Sequence, residues 1–407
     1  MSPSYSIAVV GAGVAGLAAA SFLKEHGHKP VVFERFAAPK PIGAGLLIQP
    51  TGLAVLDRLG CGDAVRHLGS RIDQVEGRLA GRGHALFDMR YEHLVPGLHG
   101  IAIHRASLFH VLHQALVARA VTVEASAELI ALEDAPGGVR LIGADGRRHG
   151  PFDLVVDASG ARSRLREGLA TATSVRPFRY GAVWGVGRDT GFARNALQQR
   201  YHGARVMIGV LPVGRLPDDA TPLNAFFWSM PAAALDQWES SPLDAWRAEV
   251  AGHWPETAGL TAQFLRHDDM TRARYAQLTV RRPFGERLVL IGDAAHQTSP
   301  QLGQGANMAL LDAAALADCL RAHPDLASAL PAYARQRHAH VRFYQAASWA
   351  LTPLFQSDSR LAGLVRDALF ARVSRLPWIS SEMVRLLAGV KTGPFTAAEA
   401  EHLAGRL

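Results

Sequence analysis

The chain has 407 residues, of which 48% are hydrophobic and 19% charged, and its formal net charge is +7 at pH 7. This length allows two or more domains, and the composition is typical of a globular protein; the basic residues never form the long block expected of a nucleic-acid-binding protein. Two cysteines cannot form a disulfide framework, and no Cys/His spacing indicates a metal site. No uncharged apolar run reaches the ~18 residues of a membrane span. We therefore expect a cytoplasmic protein without metal.

A dinucleotide-binding pattern begins close to the N-terminus. The stretch SIAVVGAGVAGLAAASFLKEHGHKPVVFER predicts a strand, a glycine-rich turn, a helix and a second strand. Gly11, Gly13 and Gly16 have the spacing G-x-G-x-x-G, which suits a tight turn, a pyrophosphate close to the backbone, and close packing of helix on strand. Glu34 ends the second strand, where a carboxylate can accept hydrogen bonds from ribose hydroxyls. Together these features predict a site for an ADP-containing dinucleotide at the start of the helix.

Three segments in the middle of the chain are rich in β-branched and aromatic residues and are predicted to be strands. They are GAVWGVGRDT (181–190), RVMIGVLPVG (205–214) and LNAFFWSMP (223–231). We expect them to form an antiparallel sheet that acts as a lid-like substrate domain.

A second nucleotide signal lies far from the first, in LVLIGDAAHQTSPQLGQGANMALLDAAALADCL. An apolar strand ends at Asp293, a proline-containing turn follows, and Gly303 and Gly305 precede a helix predicted from about Ala306. A dinucleotide dehydrogenase needs no second motif of this kind, whereas FAD extends well beyond its ADP half. Asp293 could accept a hydrogen bond from the ribityl chain, and the helix N-terminus could stabilise negative charge on a reduced flavin. The predicted cofactor is therefore non-covalently bound FAD.

With these motifs the sequence resembles the group A flavin-dependent monooxygenases of the para-hydroxybenzoate hydroxylase type. The resemblance rests on GAGVAG with Glu34, on GAGLLIQP (43–50), on IHRASLFHVL (103–112), and on GDAAHQTSPQLGQGAN (292–307). It implies an α/β fold class, with a Rossmann-like FAD-binding domain built on a parallel sheet, an antiparallel-sheet substrate domain and a helical C-terminal segment.

The resemblance also implies which residues bind the cofactor. Arg105 would contact the phosphate or ribityl region, although an exposed arginine at a helix start is the alternative interpretation. Pro300 would border the flavin ring, and residues 303–307 would cover its pyrimidine edge. The full set of implied cofactor-binding residues is Gly11, Gly13, Ala15, Gly16, Glu34, Arg35, Gly45, Arg105, Asp293, Pro300, Gly303, Gly305, Ala306 and Asn307.

One landmark departs from the family pattern. Relatives carry an Asp-Gly pair thought to serve both FAD and NAD(P)H, and this chain has Ser159-Gly160 there, within DLVVDASGARSRLRE. Gly160, Ser163 and Arg166 still fit the pattern. A serine can form hydrogen bonds but cannot supply the charge of an aspartate, so Ser159→Asp is expected to strengthen or preserve reduction by NAD(P)H.

The motif positions imply a discontinuous domain organisation. The FAD-binding domain is predicted at 1–75, 101–176 and 271–340, the substrate domain at 76–100 and 177–270, and a C-terminal helical segment at 341–407. In that segment Leu361, Leu364, Val365 and Leu369 form a stripe at helical spacing among arginines. Such a stripe either packs on the FAD-binding domain or a partner subunit, or forms a membrane-surface helix that delivers a lipophilic substrate.

The resemblance implies an NAD(P)H-driven reaction in which O₂ adds to the reduced flavin and the C4a-hydroperoxide transfers OH to an aromatic ring of the phenol, quinolone or polyketide kind. The alternatives are a flavin oxygenase or epoxidase of a lipophilic non-aromatic or quinone-type substrate, and a homologue that binds FAD or substrate without turnover. The sequence leaves open the choice of NADH or NADPH, and whether the protein is a monomer or a homodimer.

The catalytic residues are less well determined than the cofactor site. His296 could act as a general base at the active-site entrance, or could simply hydrogen-bond within its own turn. Tyr201 and His202 are adjacent on a predicted strand, so at most one of them faces the pocket. The remaining pocket candidates are Phe227, Trp184, Met207 and Trp228, each of which ordinary sheet packing would also explain.

Overall fold

A computed structural model describes residues 3–37, 44–81, 83–374, 376–394 and 396–397. Gly43 of the GAGLLIQP stretch and residues 398–407 of the C-terminal segment lie outside the described residues, as do the side chains of Leu369 and Ala371. The strands are β1 Ser6–Val10, β2 Lys29–Phe33, β3 Gly45–Ile48, β4 Ser70–Ile72, β5 Gln74–Leu79, β6 Ala85–Arg90, β7 Gly100–His104, β8 Thr122–Glu124, β9 Leu129–Ala135, β10 Gly138–Gly143, β11 Arg148–Phe152, β12 Leu154–Asp157, β13 Thr173–Arg188, β14 Ala196–His202, β15 Val206–Pro212, β16 Leu223–Pro231, β17 Met270–Val280, β18 Leu288–Leu290 and β19 His296–Gln297. The α-helices are α1 Val14–Glu25, α2 Pro50–Arg58, α3 Gly62–Leu68, α4 Arg105–Ala118, α5 Ala232–Asp236, α6 Leu243–His253, α7 Ala258–Thr261, α8 Gly305–Ala322, α9 Leu326–Phe355, α10 Arg360–Val373 and α11 Pro377–Ala388.

A five-stranded parallel sheet forms the centre of the cofactor-binding part, in the order β18-β12-β1-β2-β8. Both faces of this sheet are covered. Ile7 and Val9 pack against a cluster that includes α1, α4 and α8, whereas Ala8 and Val10 pack against the three-stranded sheet β11-β10-β9. Burial on both faces explains why β1 is a continuous apolar run without alternation.

An eight-stranded sheet forms the second part, in the order β19-β17-β13-β16-β15-β14-β5-β6. The three segments predicted as strands are confirmed as β13, β15 and β16, which are neighbours in this sheet. On its outer face Val183, Phe226 and Trp228 pack against tryptophans from the segment that contains α5 and α6. On its inner face Trp184 and Phe227 pack in a cluster with residues of β3, β7 and the C-terminal helices.

The predicted fold class is confirmed, because a parallel-sheet cofactor part, a largely antiparallel second sheet and C-terminal helices are all present. The strands β5 and β17 lie at the predicted domain boundaries and hydrogen-bond within the eight-stranded sheet. The division of the chain into domains remains a prediction.

Three residues of the predicted apolar stripe on α10 do not pack into the core of this chain. Leu361, Leu364 and Val365 are 71%, 67% and 46% exposed. The helix instead buries Arg366, whose guanidinium lies 4.9 Å from the centre of the Tyr201 ring and is hydrogen-bonded to Asp367. The interpretation that these three residues pack on the FAD-binding domain is therefore wrong. Across the described ranges, no helix combines the length and the apolar character needed to cross a membrane.

Candidate active site

The glycine loop after β1 is shaped by close backbone contacts. A Cβ on Gly11 would lie 2.7 Å from the carbonyl oxygen of Ala158, and a Cβ on Gly16 would lie 1.9 Å from the carbonyl oxygen of Gly11. Around Gly13, by contrast, a Cβ would meet nothing within 4 Å, and no side chain caps the N-terminus of α1 at this residue. The helix therefore offers its first N–H groups and positive dipole end to an anion, as a pyrophosphate requires.

Glu34 follows β2, and its side chain hydrogen-bonds this loop. Its side chain is buried, with Oε2 accepting a hydrogen bond from the Ala12 N–H at 2.8 Å and Oε1 accepting one from the Phe36 N–H at 3.1 Å. A carboxylate has further lone pairs, so these bonds leave acceptor capacity for ribose hydroxyls. The neighbouring Arg35 is exposed, and its guanidinium lies 4.6 Å from the centre of the Phe36 ring.

Ser159 belongs to a turn packed directly against the glycine loop. Its hydroxyl donates to Oδ1 of Asp157 at 2.6 Å, and the hydroxyl of Ser163 donates to the other oxygen of the same carboxylate. Burial raises the pKa of Asp157, and the bonds from the two serines together with the charge of Arg166 oppose that shift. Ser159 is thus part of a hydrogen-bonded cluster around a buried aspartate two residues upstream.

The two nucleotide signals meet in space. Gly292 has a φ of +59°, and a Cβ on it would lie 3.2 Å from the Cβ of Ala15 in the first turn of α1. Asp293 follows β18 as Gly11 follows β1, so both lie at the carboxyl edge of the parallel sheet. Ligands of open α/β sheets bind at this edge.

Arg105 and Asp293 lie at this edge in a concave part of the surface, which we call the cofactor cleft. Both side chains remain accessible to solvent although protein groups surround them. Burial lowers the pKa of the Arg105 guanidinium and raises that of the Asp293 carboxyl, and the charge of each residue offsets the shift of the other. A cation and an acceptor that face one cleft suit a ligand with a phosphate and a hydroxylated chain.

The turn before α8 is fixed from the side of β3. Pro300 opens a single 3₁₀ turn that ends at Gly303, whose φ is +60°, and α8 begins at Gly305. Asn307 is completely buried: its Oδ1 accepts from the Gln49 N–H at 2.8 Å, and its Nδ2 donates to the Gly303 carbonyl at 2.9 Å. The Asn307 side chain thus ties the turn to the end of β3.

The other predicted residues of this region lie close by. Gly45 begins β3, and a Cβ on it would lie 2.2 Å from a methyl group of Val213, which gives this glycine a packing role against the segment after β15. Ala306 is half-buried in the first turn of α8. Direct contact of these residues with the cofactor stays a prediction.

His296 is bonded to a buried aspartate on α8. Its Nε2 lies 2.6 Å from Oδ2 of Asp312, which also accepts a hydrogen bond from the Gly292 N–H at 2.9 Å. Arg337 of α9 donates to Oδ1 of Asp312 at 2.7 Å. Burial alone would raise the pKa of Asp312, but His296 and Arg337 outweigh it and hold the pKa well below its usual range. Asp312 was not predicted from the sequence, although an aspartate inside the apolar run NMALLDAAALADCL was a signal for it.

Trp184, Phe227 and Tyr275 form an aromatic wall on the inner face of the eight-stranded sheet. The rings of Trp184 and Phe227 lie 5.0 Å apart, and the Trp184 Nε1–H donates to the Tyr275 hydroxyl at 2.7 Å. Burial raises the pKa of Tyr275, and the positive charge of Arg105 opposes that shift, so the tyrosine and the arginine are electrostatic neighbours. Met207 of β15 lies on the same face, with its sulfur 3.9 Å from the Gln301 amide nitrogen in the turn before α8. Tyr275 was missed by the sequence analysis because its place in the RARYAQLTV strand carries no distinctive pattern.

Comparison with known proteins agrees with this geometry. Residues 4–347 match the family model described as an FAD binding domain. The chain is 32% identical to a 3-amino-4-hydroxybenzoate 2-monooxygenase of Streptomyces cremeus, over 78% of this chain and 79% of that protein. It is 28% identical to an aurachin C monooxygenase/isomerase of Stigmatella aurantiaca, over 92% and 96% of the two chains.

The chain belongs to the group A FAD-dependent monooxygenases. The crystal structure of Klebsiella pneumoniae HpxO with FAD and uric acid has the same fold, with a TM-score of 0.79 and 22% identity, covering 96% of this chain and 98% of that one. The predicted FAD cofactor, the oxidoreductase class and the family resemblance are thereby confirmed.

The remaining predicted residues of this monooxygenase lie on both faces of the eight-stranded sheet. Tyr201 is on the inner face, buried beside the Phe87 and Phe355 rings, and its hydroxyl donates to the Gln199 side chain at 3.0 Å. His202 is exposed, with its ring 5.1 Å from that of His253. Alternation along the strand thus separates the adjacent pair. A catalytic role for either residue, or for His296, stays a prediction.

Trp228 lies on the outer face of the same sheet. Its ring is 5.9 Å from that of His253, and it packs with Trp238 and Trp246. Of the four aromatic and methionine candidates, Trp228 is therefore the one that the sheet directs away from the aromatic wall.

Proposed function

We propose that this monooxygenase is driven by NADH or NADPH and hydroxylates an aromatic small molecule of the phenol, quinolone or polyketide kind. The observation that carries the proposal is the aromatic wall of Trp184, Phe227 and Tyr275 beside Arg105 and Asp293. A planar substrate could stack against such a wall, and Arg105 and Asp293 beside it would hold the phosphate and the ribityl chain of FAD. The names of the two relatives, which refer to an aminohydroxybenzoate and to aurachin C, agree with this class of substrate.

The residues of the chain have distinct tasks in this proposal. The glycine loop and Glu34 would hold the ADP half of FAD, and Arg105 and Asp293 the phosphate and ribityl chain. Bound FAD supplies the activation of O₂, by the route that the family resemblance implies. The aromatic wall excludes water from the reacting centre, which protects the activated oxygen from unproductive decay.

Tyr275 is the best candidate for orienting the substrate. Its oxygen accepts the bond from Trp184, so its own O–H hydrogen remains for a polar substituent of the ring. The raised pKa keeps the phenol protonated at neutral pH, which makes Tyr275 a hydrogen-bond donor and not a general base.

Anaerobic reduction of the flavin tests this function. The yellow protein is mixed with NADPH or NADH, and flavin bleaching is followed alone and with a panel of phenols, quinolones and quinone precursors. We expect one ring class to accelerate bleaching, and the same class to be hydroxylated when air is admitted. Tyr275→Phe should weaken the acceleration while FAD stays bound. Absence of bleaching with either nicotinamide would contradict the proposal and favour a homologue that binds without turnover.

A lipophilic substrate taken from a membrane surface is a second candidate, and the exposed face of α10 favours it. Leu361, Leu364 and Val365 share this face with Arg360 and Arg372, and such a mixture suits an anionic lipid surface. Sedimentation with anionic and with neutral vesicles tests the contact, with Leu361→Gln/Leu364→Gln as the comparison. Full recovery of the protein in the supernatant with both vesicle types would exclude membrane contact. We also propose that the protein is cytoplasmic, as a monomer or a homodimer.

A further inference from the structure

The C-terminal end of α11 is bonded to the cofactor-binding part by side chains. The last carbonyls of an α-helix have no partner within the helix and need one elsewhere. The last three carbonyls of α11 and that of Gly389, the residue after the helix, each have such a partner. The bonds run from the Tyr344 hydroxyl to Leu386 O (2.9 Å), from Gln304 Nε2 to Leu387 O (2.7 Å), from the Thr51 hydroxyl to Ala388 O (3.3 Å), and from His340 Nε2 to Gly389 O (2.9 Å). We call residues 386–389 the α11 end.

Gln304 gives this contact its meaning, because it lies within the turn predicted to cover the flavin. It stands between Gly303 and Gly305 at the N-cap of α8, and only 1% of it is exposed. Its side chain points away from the turn to the α11 end, whereas Asn307 bonds the Gly303 carbonyl from the side of β3. The turn is thus held between β3 and the C-terminal helix.

A second connection runs from the α11 end to the turn that carries Asp293. Burial, reinforced by Arg337, lowers the pKa of His340 to about 4, so its neutral ring donates from Nε2 to the Gly389 carbonyl and accepts at Nδ1 from Arg337. Arg337 bonds Asp312, and Asp312 accepts from the Gly292 N–H. A chain of buried bonds therefore joins the α11 end to both flavin-side turns.

Close packing reinforces these bonds at Gly389. This residue follows α11 as its C-cap with a φ of +86°, and a Cβ on it would lie 2.4 Å from the Thr51 hydroxyl and 3.1 Å from Oε1 of Gln304. The helix end therefore lies in direct contact with the residues it bonds.

We infer that the α11 end positions the Gly303–Gly305 turn, so that this C-terminal helix sets the affinity for FAD without contacting the flavin. The inference rests on the proposed function only in placing the flavin at this turn. It makes Gln304 a positioning residue, since its amide acts through the backbone of the two glycines beside it.

The test compares two variants that each remove one bond to the α11 end. Gln304→Met keeps the length of the side chain and removes the bond made by the turn, whereas Tyr344→Phe removes a bond made by α9. Dissociation constants for FAD are measured by titration of the apoproteins, and unfolding midpoints are measured without FAD. We expect Gln304→Met to raise the dissociation constant for FAD roughly ten-fold, because one buried hydrogen bond that holds the turn is lost. Tyr344→Phe should lower the unfolding midpoint as much as Gln304→Met does but raise the dissociation constant for FAD much less, because it loosens the α11 end and leaves the bond from the turn in place.

Thr51→Val supplies a second, nearly isosteric variant should Gln304→Met fold poorly, with a smaller expected rise in the dissociation constant. Hydrogen exchange at residues 386–390 should slow when FAD binds to the wild-type protein. Unchanged FAD affinity in both Gln304→Met and Thr51→Val, or an equal loss in Tyr344→Phe, would overturn the inference. Because the wild-type protein is titrated with FAD and reduced with NAD(P)H in parallel, failure of the proposed function is recognised separately.

Discussion

The glycine loop after β1 and the turns around α8 both face the cofactor cleft, but they are built differently. The loop is shaped by backbone contacts among Gly11, Gly16 and Ala158, together with one carboxylate, Glu34. The turns around α8 depend instead on partners that are remote in sequence: backbone carbonyls of β3 and α11, which accept from Asn307 and Gln304, and the Arg337 side chain of α9. A short motif can therefore specify half of a cofactor site, while the other half depends on hydrogen bonds to elements that are remote in sequence.

The largest expected effect comes from the remote support. Asp312→Asn keeps the shape of the side chain but removes the charge that faces buried Arg337. Breaking one partner of a buried ion pair costs about 3–5 kcal/mol, so we expect a large fall in the free energy of unfolding and weaker FAD retention. Chemical denaturation with FAD present measures both. Asp318→Asn on the same helix is the control, since its surface pair with Arg58 contributes less than ~1 kcal/mol. Similar losses in both variants would show that burial of Asp312 is not what matters.

Acid should weaken the same region through His340. Its pKa in the folded protein is lowered to about 4 from an ordinary value of 6.5, chiefly by burial and by Arg337, with Asp312 and His296 as the other ionisable neighbours. The unfolded chain therefore binds a proton that the folded one refuses, and stability falls as the pH decreases from 6.5 towards 4, by roughly 3 kcal/mol at most.

Urea unfolding between pH 4.5 and 7.5 measures this dependence, with His340→Gln as the comparison. The substituted protein should show a flatter slope across that window. Identical slopes in the two proteins would assign the acid sensitivity to other groups. Asp312, whose pKa is lowered, contributes stability that is lost in a separate pH window. That window begins as the pH falls through the ordinary pKa of an aspartate.

The glycine loop should be broken by a single methyl group. Gly16→Ala places a Cβ 1.9 Å from the Gly11 carbonyl oxygen, so the helix and the loop must separate. Overpacking of this kind costs about 1–3 kcal/mol, and FAD affinity should fall with it. Gly252→Ala in α6 is the matched control, because a Cβ there meets nothing within 4 Å. Normal FAD titration of Gly16→Ala would contradict the close-packing role of this glycine.

The smallest expected effect concerns Ser159, for which the contacts in the structure lead to a prediction opposite to the one made from the sequence. Ser159→Asp would place a second carboxylate within hydrogen-bonding distance of Asp157, which Ser159 now bonds at 2.6 Å. Two adjacent carboxylates repel, so we expect a loss of roughly 1–2 kcal/mol in stability and slower reduction by NAD(P)H. Unfolding and anaerobic bleaching measure the two effects. The double variant Asp157→Ser/Ser159→Asp should restore both, and faster reduction in the single variant would instead support the sequence-based expectation.

The sequence alone determined the fold class, the FAD cofactor and the order of the motifs. These follow from local rules: apolar strands, glycines at fixed spacing and acids at strand ends each act within a few residues of themselves. The strands β13, β15 and β16 were predictable for the same reason.

Only the tertiary structure decided what supports the site. Asp312, Tyr275 and Gln304 acquire their roles from partners 16 to 91 residues away, as the bonds to His296, Trp184 and Leu387 show. The exposed leucines of α10 likewise have the spacing of a core-facing stripe, and the burial of Arg366 against Tyr201 turned that face outward. Local patterns specify which element forms, whereas the burial of a polar group depends on which partners the fold brings to it.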